Sequence, residues 1–347
     1  MIISSDFQGG NIIVSEVSGD TVYLDRDMRD SSGDWFYWAF SVSGAVGRRV
    51  TFRFPRDRIG YFGPAVSHDL INWHWLGCGD VDSFTYTFGE GEEKVYFAHH
   101  ILYPEERLEA LSSIDGISCS ELCVSKKGRS VPYYRLGGGE RKILLTARHH
   151  ACESTGSYVL EGVALALAKE PIENTELIIV PYVDYDGVID ADQGKSRRPH
   201  DHNRDYDPKC DAIYPETAAI REIGRSERIV CAFDFHSPYH KGERHDHAFI
   251  VQKAGVERLE RFGDILAETM TAEAFRYDRH MDIAPGVEWN NPDAPTFASY
   301  MINEAGADIA FTLETAYFGT EDNVASADGF IELGRCFATA LRKYMEN

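Results

Sequence analysis

Basic residues are scarce in this chain of 347 residues: 35 Lys plus Arg stand against 56 Asp plus Glu, a formal net charge of −21. A nucleic-acid or anionic-membrane partner needs a concentrated basic face, so the deficit disfavours both. Long apolar runs are missing too, and nothing approaches the ~18 consecutive residues that a membrane span needs. The opening segment MIISSDFQGG has no basic start followed by an apolar run, so no secretory signal is expected in it. Cysteine is sparse: seven residues, odd in number and widely spaced, exclude a dense disulfide scaffold and point to a reducing, cytoplasmic setting. Cys119 and Cys123 have no second pair at zinc-site spacing.

Hydrophobic residues make up 43% of the chain, enough to build a sizeable core and too many for a disordered one. At roughly 100–200 residues per domain the length predicts two domains, and their grammars differ. Residues 1–112 hold short segments rich in aromatic and β-branched residues, among them TVYLDR, DWFYWAFSVSG, RRVTFRF and EKVYFAHHI, divided by turn formers. TVYL and RRVTFRF alternate at period two, as half-buried strands of a β-sandwich do. Residues 113–347 alternate apolar runs (KILLTA, ELIIVPYV, RIVCAFDFH, HAFIVQK, DIAFTLET) with helical patterns. In the last of these patterns Phe330, Leu333, Phe337, Leu341 and Tyr344 form one apolar stripe. An α/β domain with helices over a mostly parallel sheet follows.

Ligand sites in open α/β sheets lie beyond the carboxyl ends of the strands. KILLTA runs into Arg148, His149, His150, Ala151, Cys152 and Glu153; RIVCAFDFH ends in His236, and DIAFTL in Glu314. His150 and Glu153, three apart at a strand-to-helix junction, share a face and can reach one ion, with His236 the best third ligand. Catalytic zinc sites use three such ligands and keep a fourth position open. The segment GKSRRPHDHNRDYDP is dense in arginine. There Asn203 and Arg204 suit capture of a substrate carboxylate, with flanking Asp201 and Asp205 able to hold the guanidinium. Arg197 is a separate cation able to stabilise an oxyanion.

HACE behind Arg148, the GKSR and DHNR segments, the strand ending at His236, and FTLET stand in an order that resembles the zinc carboxypeptidases of the carboxypeptidase A superfamily. The resemblance is to the cytosolic carboxypeptidase-like branch, in which a β-sandwich precedes the catalytic domain. DWFYWAFSVSG, RVTFRF and FTYTFGEGEEKVYFAHHILYP are similar to that sandwich. It implies an N-terminal antiparallel β-sandwich, then a carboxypeptidase-like α/β/α domain with a mixed, mostly parallel central sheet. It further implies one zinc ion on His150, Glu153 and His236, Glu314 as general base, and Arg197 or its neighbour Arg198 polarising the carbonyl. Asn203 and Arg204 would hold the terminal carboxylate of a peptide or protein substrate, and Arg148 would lie near the metal. Eukaryotic relatives of the branch remove glutamates from acidic tails, which would need positive charge at the cleft, with Lys195, Arg197 and Arg198 as candidates. Tyr300 has only a weak claim as an assisting tyrosine.

Two other readings compete: a zinc N-acyl-amino-acid deacylase of the aspartoacylase and succinylglutamate desuccinylase type, and a non-catalytic protein binding through its aromatic first half. Trp35, Trp38, Trp73 and Trp75 are expected to pack in the core or between domains. The histidines of HKGERHDH are expected to be solvated or hydrogen-bonded, and Cys152 to be a small buried residue rather than a nucleophile.

Overall fold

The aromatic-rich segments of the first hundred residues pair as strands. In the computed structural model, which describes residues 1–253 and 256–346, they form two packed sheets. One has the order Ile2–Ser4, Ala39–Ser43, Lys94–Ala98, Ala65–Ser67, Trp73–Trp75 and is antiparallel throughout. The other has the order Ile13–Ser18, Thr21–Asp25, Arg49–Arg53, Ser83–Thr87 and departs from the expected pattern at one pairing, where Thr21–Asp25 runs parallel to Arg49–Arg53. Period-two alternation does its work here: Val22 and Leu24, and Val50 and Phe52, turn inward onto Trp38, Phe40, Phe84 and Phe97. The helix Glu105–Ser112 follows, and its Leu108 and Leu111 pack into the core of the second half.

That second half is built on a seven-stranded sheet in the order Ile117–Val124, Ser130–Gly138, Thr175–Val180, Arg141–Ala147, Ile229–His236, Ile309–Glu314, Phe249–Val251. The middle four strands are parallel and the flanking ones antiparallel. Ile229–His236 and Ile309–Glu314 are buried along their whole length because both faces are covered. On one face Leu145, Phe233, Phe235 and Phe311 pack with Tyr158 and the stripe Phe330, Leu333, Phe337 and Leu341. On the other, Leu144, Ile178 and Ala232 pack with Ile220, Phe297 and Met301. The edge strand Ile117–Val124 is not among the strands expected from the sequence, because most of its residues are exposed and show no alternation. It carries Cys119 and Cys123, both free thiols. No helix among the described residues is long and apolar enough to cross a membrane.

Two features place the site. His236 and Glu314 are register partners on adjacent parallel strands, so their side chains emerge together at the carboxyl edge of the sheet. The helix Thr155–Lys169, which begins just after Glu153, is seated against the helix Ala327–Glu346 through Gly162 and Gly334. A Cβ at Gly334 would lie 2.1 Å from the Val159 carbonyl oxygen, so the helices must part to admit one. Gly334→Ala is therefore expected to destabilise the protein by about 1–3 kcal/mol through overpacking. Thermal denaturation checks this, and an unchanged or raised midpoint would show that the helices can separate freely.

Candidate metal centre and substrate pocket

The chain leaves the strand Arg141–Ala147 in a turn over residues 148–153, with Arg148 at φ +62°. The turn aims His150 and Glu153 at His236. His150 Nδ1 lies 2.9 Å from one Glu153 oxygen, His236 Nδ1 lies 2.7 Å from the other, and the two ring nitrogens are 3.1 Å apart. All three side chains are buried, and their ligand atoms fall within 4.8 Å of one another. Two imidazoles and a carboxylate at this spacing are a donor set that zinc takes, and the far nitrogen of each ring faces a carboxylate. Asp201 Oδ1 is 3.6 Å from His150 Nε2, and Asp234 Oδ2 is 2.5 Å from His236 Nε2. The residues therefore fit a metal ion.

Asp234 also lies 2.8 Å from His149 Nδ1 and accepts from the Thr146 hydroxyl at 2.8 Å. His149, Asp234 and His236 make a second convergent group. His149 Nε2 is already engaged by the Tyr206 hydroxyl at 2.8 Å, however, and neither His149 nor Asp234 lines the pocket. Asp234 is best understood as the carboxylate that orients His236. Sequence reading missed it, although a signal was there: two residues before His236 on one strand, it must share that residue's face.

Burial opposes the charge on Glu153, yet His150, Lys195 and His236 around it hold its carboxyl well below the usual range. Glu314 responds the other way. Burial raises its carboxyl above the ordinary value, with Glu153 adding to the shift, and its Oε2 has no hydrogen-bond partner. A buried carboxylate oxygen without a partner, beside a metal triad, is available to take a proton.

His150, His236 and Glu314 line one end of a pocket of about 400 Å³. Asn203 and Arg204 line it too. Asn203 is buried and accepts from the Phe297 amide at 3.1 Å, while its Nδ2 lies 3.3 Å from His236 Nε2. Arg204 is exposed, forms no ion pair with any described residue, and donates to the Asn203 carbonyl at 3.1 Å. Neither flanking carboxylate forms a direct ion pair with it, though Asp201 lies within its electrostatic reach. Asp205 instead accepts from the amides of Ile213 and Tyr214 and from the Thr217 hydroxyl, and Asp201 stands by His150.

Arg148 and Arg197 are not brought to this pocket. Arg148 donates from Nε to the Ala151 carbonyl at 2.8 Å and lies over the Tyr182 ring, bracing the ligand turn from behind. Arg197 is clamped by three carboxylates, Asp30 at 2.9 Å, Asp184 at 2.7 Å and Asp192 at 2.9 Å. Arg198 is exposed and does not line the pocket. Tyr300 is buried elsewhere, accepting from Arg225 at 3.1 Å. The pocket's own tyrosine is Tyr239, beside Trp289 and Trp35. Trp38 is core as expected, and Trp75 donates across the halves to the Ala325 carbonyl at 2.8 Å. Burial pushes the Cys152 thiol up to about 12, which keeps it protonated and inert.

Two pocket cations went unsingled in the sequence or were named only in passing. Lys195 Nζ lies 3.0 Å from Glu153 Oε1. Lys253, just past the strand Phe249–Val251, is 6% exposed, and its ammonium donates to Asn290 Oδ1 at 2.9 Å and the Asn291 carbonyl at 3.3 Å. Neither partner is charged, and one N–H of the three remains for a guest.

No protein-family model matches the chain. An uncharacterized protein of Zymomonas mobilis is 24% identical over 317 residues, 85% of this chain and 82% of that one. Cytosolic carboxypeptidase 2 of Xenopus tropicalis is 26% identical over 181 residues, which make up 44% of this chain and 19% of that protein. A metallo-carboxypeptidase from Pseudomonas aeruginosa, solved in complex with (2-guanidinoethylmercapto)succinic acid, is similar at a TM-score of 0.80 and 21% identity, covering 100% of this chain and 99% of that one. One from Burkholderia cenocepacia is similar at a TM-score of 0.79 and 20% identity over 99% of both chains. The likeness spans both halves, and the chain thus has the fold of the metallo-carboxypeptidases, N-terminal sandwich included.

Proposed function

We propose that the protein is a zinc-dependent carboxypeptidase that removes a C-terminal residue with an acidic side chain from peptides or proteins. The observation that carries this reading is the meeting, at one pocket, of a His–Glu–His donor set, a carboxylate oxygen without a partner, and an exposed arginine that forms no direct ion pair among the described residues. A zinc ion on His150, Glu153 and His236 would supply Lewis acidity, making a water more acidic and a carbonyl more electrophilic. Glu314 takes the proton of the attacking water and returns it to the leaving amine. Its raised carboxyl suits both transfers near neutral pH. Asn203 and Arg204 bind the free terminal carboxylate, a planar anion that a guanidinium fork matches. Binding there sets the scissile amide beside Glu314 and confines the action to chain ends.

Specificity for the removed residue rests on Lys253. A buried ammonium bonded only to neutral oxygens is poorly compensated, and an incoming carboxylate completes it. Burial pushes Lys253 down from the ordinary 10.5 to about 8, with the Arg204 guanidinium adding to the effect. Its charge is therefore present below that pH and lost as pH rises through it.

Four outcomes check the reading, with N-acylamino acids assayed beside peptides to separate peptidase from deacylase. Glu314→Gln is expected to lower peptide turnover by on the order of 10²–10⁴, and a rate equal to wild type would remove the assigned base. Asp234→Asn should weaken zinc binding roughly 10- to 100-fold in chelator competition; unchanged affinity would deny Asp234 its orienting role. Lys253→Met should reduce kcat/KM for peptides ending in Glu or Asp by roughly 10- to 150-fold and leave those ending in Gln nearly unaffected. In the wild type, kcat/KM for the Glu peptide should fall above pH of about 8, a limb absent for the Gln peptide. Parallel profiles for the two would overturn the acidic preference.

A further inference from the structure

Removing Arg197 from the pocket leaves a reaction of this kind without an oxyanion partner from the protein, and the same loop offers a replacement. We infer, on the basis of the function proposed above, that Lys195 is the catalytic cation that meets the negative charge developing on the scissile carbonyl oxygen, and that the N-terminal sandwich holds it in place.

The geometry separates the cations by task. Arg197 has Nε, Nη1 and Nη2 each opposite a different carboxylate, so its charge and donors are used up. Lys253 is bound to Asn290 and Asn291. Lys195 alone of the pocket's lysines and arginines pairs with a member of the ligand triad, Glu153, and its ammonium sits 5.0 Å from the centre of the Trp35 ring. That leaves N–H groups on Lys195 free to face a guest lying beside the triad.

The backbone around Lys195 is fixed from the sandwich. Asp30 accepts from the amides of Gln193 at 2.9 Å and Gly194 at 2.8 Å, and from Arg197 Nε at 2.9 Å. The Ser32 hydroxyl donates to the Ser196 carbonyl at 2.7 Å, and the Gln193 side chain bonds both the amide and the carbonyl of Tyr37, at 3.0 and 2.9 Å. Gly194, at φ +75°, lets this loop touch the ligand turn, since a Cβ there would lie 2.0 Å from the Ala151 nitrogen. Arg197 thus acts as an anchor of the loop, and Asp30 and Trp35 are positioning residues for Lys195. A donor held this rigidly costs no reorganisation when charge develops.

In the step itself, the water oxygen bonds to the amide carbon, one water proton goes to Glu314, and the carbonyl π pair moves onto oxygen, where an N–H of Lys195 meets it. On collapse that pair re-forms the C=O bond, the C–N bond breaks, and the proton on Glu314 passes to the departing nitrogen. The second water proton follows, giving carboxylate and ammonium.

The test compares wild type, Lys195→Met and Lys195→Arg as zinc-loaded full chains on a Glu-terminated peptide. Calorimetry then measures two inhibitors: a phosphonate peptide analogue that mimics the tetrahedral anion, and a planar dicarboxylate product analogue. Lys195→Met is expected to lower kcat by on the order of 10²–10³ with KM within threefold, and to lose phosphonate affinity by a similar factor. Its product-analogue affinity should stay within threefold, which also reports an intact fold, and Lys195→Arg should recover much of kcat. Asp30→Asn should lower kcat in the wild type and add little in Lys195→Met, because it acts through that lysine. A Lys195→Met variant with undiminished kcat, or one that loses both inhibitors equally, overturns the inference while wild-type cleavage keeps the carboxypeptidase reading. A zinc-loaded wild type that cleaves no peptide terminus overturns both.

Discussion

Glu153 is a carboxylate with no exposure to water, and the site is arranged around keeping it charged. An ion in that position costs several kcal/mol unless partners surround it. They come from three parts of the chain: His150 from its own turn, His236 from a strand end, and Lys195 from a loop held by the sandwich. His236 in turn needs Asp234, and Asp234 is completed by His149 and Thr146. Nitrogen groups and carboxylates alternate along a line from Lys195 through Glu153, His236 and Asp234 to His149. Deleting one member strands its neighbour, so strand register, ligand turn and loop position are coupled far more tightly than their sequence separation suggests.

The same reasoning gives meaning to the acidic balance of the chain. Carboxylates are spent on neutralising arginines: Asp34 serves Arg26, Arg56 and Arg58, and Asp186 with Asp190 serves Arg129. Arg204 and Lys253 have no such partner among the described residues, and both face the pocket. The net charge of −21 is therefore compatible with a cleft lined by cations, because charge is managed pair by pair.

Much of this was legible in the sequence. The strand-ending residues His236 and Glu314 and the His150–Glu153 turn could be read because a parallel sheet presents strand ends to the ligand, and apolar runs mark where strands end. The stripe on the last helix was equally plain. The loop from Lys195 to Arg204 was not: its arginines were assigned by the resemblance of short motifs, and a motif does not say which of two near neighbours turns toward the ligand triad. The choice between Lys195 and Arg197 is made by Asp30, more than 160 residues earlier in the chain, and no local pattern carries that contact. Lys253 was hidden for a related reason. A lysine after a short strand normally reaches solvent, and only the packing of the Asn290 segment over it turns it inward. The edge strand Ile117–Val124 shows the opposite failure, where exposure erased the alternation that would have revealed it.

The sandwich is then more than a neighbour of the catalytic half. Domain pairs joined by modest interfaces usually rock against each other, and a pocket between such bodies can admit substrate by opening. Here the shared surface is fastened by buried directional bonds. Asn11 donates to the Ala191 carbonyl at 2.8 Å, Gln193 bonds Tyr37 in both directions, and the His99 and His240 rings meet at 2.8 Å. Each such group left unpaired would cost about 1–3 kcal/mol, so even a small rotation breaks several at once. Opening between the halves is accordingly expensive, and it would also pull Asp30 from the Lys195 loop. On the proposed function, substrate would instead come over the rim where Tyr239 and Trp289 stand half exposed to solvent beside Arg204. A chain end entering by that route would pass two aromatic side chains to reach Arg204, in a pocket that Lys195 and Trp35 also line.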